Sequence, residues 1–123
     1  MEDIEPSVVS WVETPEDQYN QQLRVHGKLY TSTQKEDYGL ILKIENKHSK
    51  GDFVFIIAGI TQFGTIEAAR YLKKKWKKLN KKADRNPFIC VIKVEKREDM
   101  KRVKIVHFTS NDPPPSLRNA ITR

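Results

Sequence analysis

Cysteine is almost missing from this chain of 123 residues: Cys90 is its single representative. It cannot close an internal disulfide, and it cannot by itself build a thiolate metal cluster. Long apolar runs are missing too, since none approaches the roughly 18 residues needed to cross a bilayer, and that excludes a transmembrane helix. The opening residues, Met1-Glu2-Asp3-Ile4-Glu5, are acidic where an export signal is basic and then apolar. The expectation is therefore a cytoplasmic chain. Basic residues are absent from the first twenty positions, which hold Glu2, Asp3, Glu5, Glu13, Glu16 and Asp17 and are net −6. Acids are nearly absent between Arg70 and Arg85, where Asp84 alone opposes nine Lys and Arg. The whole chain is net +7 with 32% charged residues, and its length suits one domain.

What is present reads as strands around one helix. Residues 1–22 lack a sustained period, carry Pro6 and Pro15, and are expected to form a largely irregular acidic arm in which Val8 to Val12 could add a short strand. Leu23, Val25, Gly27 and Leu29 alternate with Arg24, His26 and Lys28, the period-two signature of a strand with one wet face. Tyr38 to Ile44 is apolar on both faces, Asn46 to Asp52 is rich in turn residues, and Phe53 to Ala58 suits a central strand. Phe88 to Val94 and Val103 to Phe108 give two more strands. Three consecutive prolines, Pro113 to Pro115, end the ordered part, so the chain divides into the arm, a domain over 23–110 and a Pro-rich tail over 111–123.

The helix is expected to begin after Gly64, with Thr65 as N-cap and Glu67 in the first turn. Ile66, Ala69, Leu72, Trp76 and Leu79 recur at spacings of three and four, which places them on one stripe against the sheet and makes Trp76 a core residue. The fold class that follows is α/β: a small mixed sheet in the order β-β-β-α-β-β, with one right-handed parallel βαβ crossover and one basic amphipathic helix. A single helix covers one sheet face. A homo-oligomer or a partner subunit is expected to cover the other.

Between the central strand and the helix lies Ala58-Gly59-Ile60-Thr61-Gln62-Phe63-Gly64-Thr65. Ligands of open α/β sheets collect where a strand feeds a helix N-terminus, because free N–H groups and partial positive charge favour anions there. Gly59, Thr61, Gln62, Gly64 and Thr65 are the candidate contacts for a small anionic or nucleotide-like ligand. The spacing Gly59-x-x-x-x-Gly64 is that of a phosphate-binding loop, but Thr65 stands where that motif needs Lys, which excludes an ATPase or GTPase. In the plainer reading both glycines only shape a turn and Thr65 caps the helix.

Asp37-Tyr38-Gly39-Leu40-Ile41, Phe55 to Gly59 and Phe63-Gly64-Thr65-Ile66-Glu67-Ala68-Ala69 together resemble the C-terminal half of a Rossmann-like domain of uncharacterised archaeal and bacterial proteins, some joined to DNA-binding or S-layer-type segments. The resemblance covers roughly residues 37–94. It implies a ligand-sensing or assembly role with Gly59, Gly64 and Thr65 at the loop. The Gly-rich first strand and loop of that pattern are absent, and Asn46 is followed by Lys47 rather than proline.

Lys73, Lys74, Lys75, Lys77, Lys78, Lys81 and Lys82 form a positive face able to attract nucleic acid by counterion release, or simply a solvated one. His26, His48 and His107 lie in separate segments with no metal-ligand spacing, and Cys90 falls in an apolar strand. No catalytic set, metal or cofactor is expected. The expected function is a non-enzymatic sensing or interaction domain that takes a small anion or a protein partner at the strand–loop–helix turn. Nucleic-acid binding by the lysine face, or a purely structural subunit, are the alternatives.

Overall fold

The computed structural model describes residues 9–14, 17–46, 48–49, 51–96 and 100–110, with the backbone alone at 12–14 and 17–21. Its elements are β1 (Val9–Thr14), β2 (Asp17–Val25), β3 (Lys28–Thr31), β4 (Glu36–Glu45), β5 (Phe53–Gly59), α1 (Gln62–Lys82), β6 (Phe88–Lys96) and β7 (Lys101–Ser110). They form two antiparallel sheets, β1-β2-β3 and β5-β4-β6-β7, with α1 on one face of the larger sheet.

The expected α/β mixed sheet is therefore corrected: every strand pair is antiparallel. β5 and β6 do run the same way on either side of α1, but β4 lies between them and pairs with both. No parallel βαβ pair exists among the described residues. The reason is visible in β4, whose run Leu40-Ile41-Leu42 is buried on both faces and takes the interior place. Phe53 to Gly59, expected at the centre, is displaced to the edge.

The stretch read as an irregular acidic arm carries β1 and most of β2, while residues 1–8 and the tail over 111–123 lie outside the described ones. Leu23 to Leu29, read as one strand, breaks at His26-Gly27. Those residues have φ of 50° and 82° between the paired Val25 and Lys28, the mirror-image two-residue turn whose twist matches antiparallel strands.

This hairpin sheet supplies what the sequence left open. Val9, Leu23, Val25 and Tyr30 pack against Leu40, Leu42, Ile44, Ile89 and Val91. The sheet face for which a second chain was expected is thus covered by the same chain. On the opposite face Ile41, Phe88, Cys90, Ile92 and Val94 pack against Ala68, Leu79 and Ala83 of α1 and its flank. The order of layers is helix, four-stranded sheet, three-stranded sheet.

Candidate functional site

The turn from β5 into α1 departs from its expected geometry in two ways. The helix begins at Gln62, with Thr61 as the N-cap residue, so Gly64 and Thr65 lie inside its first turn. The cap itself comes from β4. Asp37, fully buried, accepts the Gly64 N–H at 2.8 Å and the Thr61 hydroxyl on Oδ2, and the Tyr38 N–H at 2.8 Å on Oδ1. A carboxylate at this place satisfies an orphan amide and meets the positive end of the helix dipole. It occupies the position an incoming anion would need.

The glycines serve close packing at the same place. A Cβ on Gly64 would sit 2.4 Å from the Tyr38 carbonyl oxygen, and one on Gly59 would sit 2.2 Å from the Thr65 amide nitrogen. Gly59, Thr61, Gly64 and Thr65 are brought together, but around Asp37 and the backbone of β4 rather than around a hollow. Gln62 is exposed beside them. The Thr65 hydroxyl donates to the Thr61 carbonyl at 3.3 Å, as the first turn of a helix allows. Sequence reasoning missed Asp37, because a cap supplied by a distant strand leaves no local spacing to read.

Glu67, expected to meet the helix dipole, instead reaches across to β7. It is nearly buried and pairs with Arg70 at 3.1 Å and with Lys101 at 2.8 Å. The lysine face is exposed at Lys73, Lys74, Lys75, Lys77, Lys78, Lys81 and Lys82. Lys82 also lies 4.8 Å above the Phe108 ring.

The apolar stripe of α1 is offset from expectation. Leu79 is buried and Leu72 half-buried, but Ile66 is 43% exposed and Trp76 is 42% exposed. The buried positions are Gly64, Glu67, Ala68 and Leu79. Trp76 is therefore not a core residue. The helix is apolar over a wider arc than its sheet covers, and the uncovered part turns toward the open side of β5.

There Phe55, Ala69, Leu72, Lys73 and Trp76 line a hollow of about 370 Å³. A second hollow, of about 540 Å³, is lined by Trp76 together with Lys77, Asn80, Lys81, Asp84 and Arg85. Phe53 and Phe55 on this side of β5 are each 39% exposed, and Val54 is exposed to the same extent on the opposite face of the strand. The pairing of β5 adds a second property to this face. Ile60 donates to the Tyr38 carbonyl at 3.2 Å, and the register continues through Leu40↔Ala58, Leu42↔Ile56 and Ile44↔Val54. In an antiparallel ladder, hydrogen-bonded pairs alternate with non-bonded ones. The N–H and C=O groups of Phe53, Phe55 and Ile57 therefore point away from β4, along an edge that no described strand pairs.

Under this face Lys43 is buried, with its ammonium group held in place. Its Nζ donates to the Arg85 carbonyl at 2.9 Å and to Asn80 Oδ1 at 2.5 Å, and lies 4.4 Å above the Phe53 ring. Burial, followed by the Arg85 charge, lowers its pKa. It acts as a strut between β4 and the helix end.

His26 and His107, far apart in sequence, meet with ring centroids 5.1 Å apart, and His107 Nε2 lies 2.7 Å from the Thr109 hydroxyl. Burial first, then His26 and Lys28, lowers the His107 pKa. Cys90 is fully buried, and burial pushes its thiol up to about 12. No group of three or more potential metal ligands occurs among the described residues. No described helix is long and apolar enough to cross a membrane. No family model, curated protein or solved structure matches the chain.

Proposed function

We propose that this chain is a non-catalytic interaction module that docks a protein partner on the face formed by β5 and the outer arc of α1. One observation carries the reading: Phe53, Phe55 and Trp76 stand exposed on the helix side of β5, with Phe55 and Trp76 lining an apolar hollow, beside a strand edge that no described strand pairs. Contiguous exposed apolar surface costs solubility and is kept in folded proteins mainly where something binds. Aromatic anchors beside a pocket are the usual energetic centre of such interfaces. The expected anion site at the β5–α1 turn is not carried forward, because Asp37 already fills it.

Site-specific photo-crosslinking tests this. A photoreactive phenylalanine analogue is placed at Trp76, and separately at Arg102 on β7, in the chain expressed in its own cell. Discrete protein adducts from position 76, lost when Phe55→Ser is added, are expected. Adducts of the same pattern from both positions, or none from position 76, would contradict the reading.

A second reading, polyanion binding, is favoured by the exposed lysines around Trp76 and by Arg85 in the second hollow. Such binding falls steeply with salt. Titration of a single-stranded oligonucleotide across a salt series checks it, with Lys74→Glu/Lys78→Glu expected to weaken binding and reduce the salt slope.

A further inference from the structure

Resting on the interaction reading, we infer that the occupant of this face is an extended acidic segment of a protein partner, which adds to β5 as a fifth strand of the larger sheet. The backbone supports strand addition. Phe53, Phe55 and Ile57 offer donors and acceptors along one line, and an unpaired edge is completed by a chain that supplies the matching row. Natural edges are usually blunted by charge, proline or a bulge. β5 carries none of these: its seven residues are Phe-Val-Phe-Ile-Ile-Ala-Gly, and its register with β4 is unbroken.

Side-chain chemistry selects the partner. Alternate residues of an added strand point to the helix side, where the hollow between Phe55 and Trp76 takes one apolar side chain. The rim is basic. Lys73 lines that hollow, Lys77 lies 5.7 Å above the Trp76 ring, and Lys81 and Arg85 continue the charge into the second hollow, against Asp84 alone. The acids that flank the β4–β5 turn are already engaged within it, Glu45 with the Gly51 N–H and Asp52 with the Ser49 hydroxyl. A second copy of this chain is disfavoured by the same rim, since pairing two β5 edges would bring like-charged helices together. Carboxylates on the incoming strand complement it and set orientation and encounter rate more than raw affinity.

The test uses the full chain and a fluorescein-labelled nine-residue peptide that alternates Glu with Val, Phe and Ile, followed by anisotropy. Its counterparts have Lys in place of Glu, or N-methyl groups on alternate amides. The Glu peptide is expected to bind about tenfold more tightly than the Lys peptide, the effect of a few exposed charge pairs. Lys73→Glu/Lys77→Glu should reverse that preference, and N-methylation along the pairing edge should abolish binding. Both lysines are exposed, so the fold survives their reversal.

Equal binding of the Glu and Lys peptides overturns the inference, as does unchanged binding of the N-methylated one, or no binding at all. A labelled, charge-matched oligothymidylate that displaces the Glu peptide from the unaltered chain and itself binds Trp76→Ala undiminished would assign the face to a polyanion instead. A concentration-dependent dimer in light scattering, lost in Phe55→Pro, would assign it to a second copy. Crosslinks from position 76 that persist when the peptide fails would leave the interaction face standing and remove only this occupant.

Discussion

Asp37 decides what the β5–α1 turn is for. Two oxygens accept three hydrogen bonds from Tyr38, Thr61 and Gly64, so one side chain fastens the helix start to β4 and neutralises the end of the dipole. Asp37→Ala strands buried donors, and a loss of about 2–3 kcal/mol in denaturant unfolding is expected, with Asp37→Asn intermediate. His107 offers a test by pH. Its folded pKa lies below the unfolded value of 6.5, so the folded chain binds that proton less readily. Its contribution to stability is complete above pH 6.5 and is lost as pH falls below it. The melting temperature should hold above neutrality and drop in mild acid, and His107→Gln should flatten that drop.

At the scale of elements, α1 shows how a correct period can still assign residues to the wrong surface. Ile66, Ala69, Leu72, Trp76 and Leu79 do share an arc, but the sheet takes only its Leu72–Leu79 side, together with Ala68. Spacing fixes which residues share a face and says nothing about how wide a partner lies against it. Leu79→Ala is therefore expected to cost about 2–4 kcal/mol in unfolding, as buried leucines do. Trp76→Ala should cost well under half of that while abolishing peptide binding. β5 misled for a related reason. Its β-branched and aromatic run was legible as a strand, but position within a sheet depends on which neighbour has two buried faces, and that neighbour is β4.

Across the whole molecule, the division into two sheets was the least legible feature. The alternation of Leu23 and Val25 showed one wet face and one dry face, as the structure has it, but not that the dry face meets Leu40, Leu42 and Val91. Long-range pairing of this kind leaves no mark at short spacing. Nor did the turn signal of Gly27 stand out within a period-two run, although its φ of 82° is what folds β2 onto β3. Once those layers are in place, three surfaces are closed by the chain itself: the far sheet face, the helix N-terminus and the Cys90 strand. The β5 edge is left as the surface where chemistry and exposure coincide.

Amide hydrogen exchange of the dilute chain, read residue by residue by NMR, probes that edge most directly. The N–H groups of Phe53, Phe55 and Ile57 should exchange rapidly while those of Val54, Ile56 and Ala58 remain protected by β4, and the Glu peptide should slow the first set alone. Equal protection of both sets in the free chain would mean that the edge is already paired, and would contradict the account.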